Sequence, residues 1–167
     1  MKKDYFLMEN QKSLDSEFIE RCKNFLFDPG ISVLKEAKLA SQHFEIHSMH
    51  DPTEGGLACG IAEISIASNK GIQIEEANIN ILPEPERLSK IFNLNPLNTI
   101  SSGSLLITLE ENQVFKLIKL LENNDIDACI IGKIVSKENG LTIKQLDGKI
   151  KPLSYSETDD ITKIFNS

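Results

Sequence analysis

Apolar residues recur along this chain with two different periods, and each change of period falls at recognisable punctuation. From Leu14, the positions Leu14, Phe18, Cys22, Phe25 and Leu26 keep helical spacing, with Ser13 available as a cap. "FDPG", Phe27 to Gly30, ends that helix because proline and glycine both break it. A second helix is predicted from about Ile31 to Ser41, turning Val33, Leu34, Ala37 and Ala40 inward. "FEIHSMH", Phe44 to His50, then alternates, with Phe44, Ile46, Ser48 and His50 on one face and Glu45, His47 and Met49 on the other, which reads as a strand. Beyond two glycines, Leu57, Ile61, Ile64 and Ser68 mark one face of a helix ending near Asn69–Gly71.

The second half follows the same logic. "GIQIEEANINIL" alternates Ile72, Ile74, Ile79 and Ile81 and reads as extended. "PEPERLSKIF" reads as a short helix opening on prolines, which the first turn tolerates. "SLLITL", Ser104 to Leu109, is a candidate buried strand, and Val114, Leu117, Ile118 and Leu121 mark a further helix. Late strands follow around two turn signals, Asn139–Gly140 and Asp147–Gly148, and read as tight hairpins. Ser156 and Asp159 form a capping-box variant before a last helix carrying Ile161, Ile164 and Phe165. Residues 1–12 read as a flexible tail and residues 13–167 as one domain. Helices and strands alternate without a strict βαβ rhythm, so the fold class is α/β of the α+β kind, with a mixed, mainly antiparallel sheet carrying packed helices.

Composition narrows the function more than the fold. The net charge is −7 with only two arginines, Arg21 and Arg87, so no basic stripe exists for a nucleic-acid backbone, and no nucleic-acid partner is expected. No run approaches the length of a membrane span and the first residues show no signal-peptide pattern, which makes a cytoplasmic location and no membrane partner the expectation. The three cysteines, Cys22, Cys59 and Cys129, are widely separated among apolar neighbours. They read as buried reduced thiols rather than as disulfide or metal ligands, and no metal site is expected.

"HDPTEGGL", His50 to Leu57, is where chemistry concentrates. Two glycines in the first turn of a helix cost roughly 1 kcal/mol each relative to alanine. One explanation is a capped helix whose glycines permit tight packing. The other is close approach of an anion or a polarised oxygen to unpaired amides at the positive end of the helix. Asp51 or Thr53 can cap those amides, and Pro52 stiffens the turn. His50 is a candidate general acid or base with Asp51 beside it, although strand neighbours point to opposite faces. "ISSGS", Ile100 to Ser104, is a second turn of hydroxyls and amides before a strand, equally readable as a polar turn.

The stretches "FDPGISVLKEAKLA", "IHSMHDPTEGGLACGIAEI" and "ISSGSLLITL" together resemble the C-terminal half of the aminoimidazole ribonucleotide (AIR) synthetase, or PurM-like, superfamily. Within it, the nearest branch is that of the HypE hydrogenase maturation proteins and their archaeal relatives. The resemblance runs from about Phe25 to the end of the chain. It implies a three-layer α/β/α domain with a sheet partly similar to a ferredoxin-like fold. It further implies an ATP-dependent enzyme of two halves, in which an N-terminal domain holds most of the ATP and Mg²⁺ and the C-terminal domain closes over nucleotide and acceptor. Carried over, His50 and Asp51 are candidate catalytic residues, and Thr53, Gly55, Gly56, Ser102, Gly103 and Ser104 candidate ligand- or phosphate-binding ones. The chain alone is expected to be inactive and to hold no cofactor, to need an N-terminal PurM-like ATP-binding domain as partner, to act on a small-molecule or peptide acceptor, and to dimerise weakly if at all. It also ends "DDITKIFNS", without the cysteine that the HypE branch modifies. The alternative is a stand-alone small-anion binding or regulatory module.

Overall fold

The computed structural model describes residues 14–166. The tail expected at residues 1–12 and the Ser13 cap lie outside those residues. Helix α1 is Ser16–Asn24 and is capped by Asp15, whose carboxylate accepts the Phe18 amide proton at 2.7 Å. That bond holds the Asp15 carboxyl below its ordinary value of 3.8, with burial opposing and Arg87 and Arg21 assisting. A lowered carboxyl contributes stability above its unfolded value and loses it as pH falls through the folded one. We therefore expect the Phe18 amide to lose hydrogen-exchange protection as the pH is taken below 3.8, with the remaining helices unaffected at the onset. Phe18 itself is buried, with the Arg87 guanidinium 4.3 Å and the Arg21 guanidinium 5.8 Å from its ring centre.

A turn at Leu26–Gly30 separates α1 from α2, Leu34–His43. Strand β1 is Ile46–His50, α3 is Gly56–Ser68 and β2 is Gly71–Glu75. Then come α4, Pro83–Phe92, β3, Leu106–Leu109, and α5, Glu111–Glu122. The chain ends with β4, Gly132–Val135, β5, Leu141–Lys144, β6, Ile150–Pro152, and α6, Thr162–Asn166. The strands fall into two sheets, β1–β3 and β4–β2–β5–β6, where one had been expected. Three of the four pairings are antiparallel and β2–β5 is parallel, so the mixed, mainly antiparallel character holds.

Helix α3 explains the layering. Its Ala58 and Ile61 pack on Ile72 and Ile74 of β2 and Ile143 of β5. On its other side, a Cβ at Gly60 would lie 3.0 Å from His50 and 3.3 Å from Leu106, residues of β1 and β3. A helix covered by two sheets has little room for large side chains, which is why its first half runs Gly-Leu-Ala-Cys-Gly-Ile-Ala. The far face of β1–β3 carries Ile46, Met49, Ile107 and Leu109 onto Ala40 of α2 and Leu117 and Leu121 of α5. The expected α/β/α stack is thus built around β1–β3, and the four-stranded sheet adds a further layer beyond α3. The described residues contain no helix long and apolar enough to cross a membrane.

Several local expectations change. The register of β1 against β3 shifts between Ile46 and Ser48, so one extra residue is inserted and the alternation reverses. Met49 therefore joins Ile46 in the apolar layer. Helix α2 begins at Leu34 rather than Ile31, and Leu34 is 58% exposed rather than inward. The run after β2 becomes a short 3₁₀ turn at Glu76–Asn78, with Ile79 and Ile81 packed on the core without forming a strand. Strand β3 is half-buried, not buried. Asn139–Gly140 does not close a hairpin, because β2 inserts between β4 and β5; Asp147–Gly148 does, joining β5 to β6. Cys59 is buried, but Cys129 is exposed and precedes β4 in an unpaired stretch.

Candidate functional site

Strand β1 delivers His50 to a turn, residues 51–55, that leads into α3. Pro52 is fully buried and fits because Gly60 has no Cβ; one there would come within 2.7 Å of the Pro52 ring. The Gly56 amide donates to the Thr53 carbonyl at 3.0 Å, closing the turn. Gly55 and Gly56 both adopt left-handed backbone, with φ of +73° and +66°, which glycine accepts at no steric cost.

What crowds these glycines is the chain itself. A Cβ at Gly55 would run into the Ser156 carbonyl oxygen, and one at Gly56 into the Thr99 carbonyl oxygen and to 2.7 Å from that of Leu97. The expectation that the pair leaves room for a ligand is therefore corrected: neighbouring backbone fills the space. The expected caps are corrected too. Neither Asp51 nor Thr53 supplies a side-chain cap, and the Gly55 amide instead donates to Asp159 Oδ2 at 3.2 Å. The other Asp159 oxygen accepts the Ile161 amide at 2.9 Å, so one buried carboxylate ends two helical segments. Asp160, also buried, accepts the Asn95 amide at 3.2 Å and pairs with Lys163 at 2.7 Å. The anion at the start of α3 is the protein's own.

The second motif docks onto the first. The Ser101 hydroxyl donates to the Pro52 carbonyl at 3.0 Å and its amide reaches the Thr53 carbonyl at 3.4 Å. Gly103, at φ +95°, lies against Gly30, whose carbonyl oxygen would sit 2.9 Å from a Cβ there. The hydroxyl-bearing residues Ser102 and Ser104 are exposed. The serine loop thus bridges the glycine turn and the Leu26–Gly30 turn.

An open depression of about 370 Å³ lies over the glycine turn, lined by His50, Asp51, Thr53, Glu54, Cys59, Glu63 and Glu157. Ser102, Gly103 and Ser104 are not part of its wall. The carboxylate that pairs with His50 is not Asp51 but Glu63, whose Oε2 lies 2.6 Å from His50 Nε2. Glu63 and Glu157 escape sequence reasoning because they meet the motif only through folding, and Asp159, read from the sequence as a cap of the last helix, reaches Gly55 the same way. Only the i,i+4 spacing of Cys59 and Glu63, which sets them on one helix face, was readable in advance. Burial pushes the Cys59 thiol up, and Glu63 and Glu157 push it further, so it stays protonated at neutral pH. It lines the depression as a thiol.

Four carboxylates around one histidine set the electrostatics. A bare phosphate would be repelled, whereas a neutral group, a cation or an anion already neutralised by metal would not. Among the described residues, no three His, Cys, Asp or Glu side chains converge to ligate a metal ion.

Residues 31–144 match the family described as AIR synthase related protein, C-terminal domain. The carbamoyl dehydratase HypE of Escherichia coli (strain K12) is 24% identical over 159 residues, which cover 94% of this chain and 45% of that protein. A putative hydrogenase expression/formation protein, MJ0676, of Methanocaldococcus jannaschii is 28% identical over 114 residues, covering 67% of this chain and 34% of its own length. Among solved structures, the hydrogenase maturation protein HypE in complex with ATP superimposes with a TM-score of 0.69 at 24% identity, over 77% of this chain and 42% of the other. The chain therefore spans less than half the length of these relatives.

Proposed function

The chain belongs to the family of AIR synthase related protein C-terminal domains, and we propose that it is the half of an ATP-dependent enzyme that closes over a nucleotide and acceptor held mainly by an N-terminal-type partner domain. The observation that carries this reading is an apolar surface flanking the serine loop. Phe27 is 81% exposed, Leu34 58% and Ile100 52%, with Leu26 and Ile31 exposed beside them in sequence. Gly103 packs on the backbone of Gly30 and Ile31, which ties the segment carrying Leu26, Phe27, Ile31 and Leu34 to the serine loop. Large apolar side chains exposed on a segment that packs on the serine loop are what a domain interface leaves when its partner is not in contact.

In this reading His50 transfers protons at the acceptor, and Asp51 and Thr53 line the entry. Ser102 and Ser104 offer hydroxyls from the bridging loop, with Gly103 making the turn that presents them. ATP, which a solved HypE binds, would supply the activating phosphoryl group when bound, and Mg²⁺ with it would neutralise charge that this acidic depression otherwise repels. The same charge counts against a stand-alone module for bare anions, as does the filling of the α3 start by Asp159.

The test is assembly. Sedimentation velocity of the chain alone is expected to give a monomer or weak dimer, and addition of an N-terminal AIR-synthase-type domain from the same organism to give a 1:1 complex. Phe27→Glu with Leu34→Glu should abolish that complex while leaving the melting temperature of the isolated chain nearly unchanged, since both side chains are exposed. A complex indifferent to these substitutions, or no complex, would overturn the reading.

A further inference from the structure

We propose that Glu63 is a positioning residue for His50, fixing the imidazole so that Nδ1 is the basic atom offered to a group bound in the depression. The inference rests on the reading of His50 as the proton-transfer residue. A carboxylate only accepts hydrogen bonds, so the 2.6 Å contact with Glu63 places the proton on Nε2. Packing agrees with this. The ring carbon Cδ2, bonded to Nε2, is the atom that lies over Gly60, 3.0 Å from where a Cβ would stand. The Cδ2–Nε2 edge is thus turned toward α3 and the Nδ1 edge away from it. Among the described residues, Nδ1 has no hydrogen-bond partner, and the side chain keeps about a third of its surface accessible.

A general base needs a free lone pair within reach of the incoming proton and a third group that holds the ring still. Glu63 meets the second requirement from a different element, α3, thirteen residues along the chain from His50 on β1. Its side chain is 57% exposed, so the pair adds little to stability in high dielectric. Orientation is the larger effect. Asp51, Glu54 and Glu157 are the other charged groups around the depression, and none is hydrogen-bonded to the ring.

The chain supplies its own reference. His43 Nδ1 lies 2.9 Å from the Leu39 carbonyl, which also only accepts, so His43 carries its proton on Nδ1 and has the opposite tautomer. With three histidines in the chain, long-range ¹H–¹⁵N spectra of histidine-labelled protein, taken well above the ordinary histidine range, resolve each ring. The expected result is a one-sided Nε2–H tautomer for His50 and a one-sided Nδ1–H tautomer for His43. Glu63→Leu should collapse the His50 pattern to an exchange average of both nitrogens, with His43 unchanged. An Nδ1–H tautomer at His50, or a native-like His50 spectrum in Glu63→Leu, would overturn the proposal. The experiment uses this chain alone, so its outcome is independent of whether a partner domain binds.

Discussion

Replacing Gly56 by alanine is expected to lower the melting temperature of this chain by about 6–12 °C, whereas the same change at Gly148 should cost only about 2–4 °C. Both glycines have a positive φ, +66° and +82°. Left-handed backbone costs a residue with a Cβ roughly 1 kcal/mol, and that is shared by the two sites. They differ in surroundings. Nothing lies within 4 Å of a Cβ at Gly148, but at Gly56 the Cβ meets the Thr99 carbonyl oxygen, then Leu97 O at 2.7 Å and Thr99 N at 2.9 Å. All three are backbone atoms and cannot rotate away. Overpacking of this kind adds about 1–3 kcal/mol, for a total of about 3 kcal/mol. Gly56→Val adds a branched side chain to the same clash and should be worse. Thermal melts of the two alanine variants side by side provide the check. If Gly56→Ala melts like Gly148→Ala, the turn is not packed on residues 97–99 as described.

The paired glycines also show where the sequence was legible and where it was not. Local signals carried far: Leu117 and Leu121 fall on the core face of α5, Ile72 and Ile74 on that of β2, and α4 opens on Pro83. Each depends on periodicity or on a constraint of one residue on its own turn. Misreadings occurred where a distant segment decides. The Gly55 amide is answered by Asp159, 104 residues away, and no spacing rule reaches that far. The bulge in β1 arises from pairing with β3, which a single strand does not announce. β2 separates β4 from β5 because strand order is a property of the whole sheet, while Asn139–Gly140 reads identically with or without a hairpin. Leu34 is apolar at an inward-looking helical position yet exposed, as a residue serving an interface rather than this domain's core would be. At the site, His50, Asp51 and Thr53 line the depression that motif reading pointed to, and the serine loop docks on the same turn. Glu63 and Glu157 join them only through folding.

The central claim, that this chain is the closing half of a nucleotide-using pair, makes its largest numerical demand on ATP. The depression offers four carboxylates, no arginine and no converging metal ligands among the described residues. Affinity of the 167-residue chain for Mg·ATP should be millimolar at best, roughly −4 kcal/mol. With the partner domain present, nucleotide and interface bind together, and the ordering needed for closure is shared between them. A gain of at least about a hundredfold, roughly 2.7 kcal/mol, is then expected.

Isothermal titration calorimetry with Mg·ATP, on the chain alone and then on the chain mixed with an N-terminal AIR-synthase-type domain, measures both quantities on one instrument. The expected result is no heat of saturable binding at micromolar ATP for the chain alone, and tight binding by the mixture that exceeds that of the N-terminal domain by itself. Micromolar affinity in the chain alone, or a mixture that binds no better than the N-terminal domain, would contradict it.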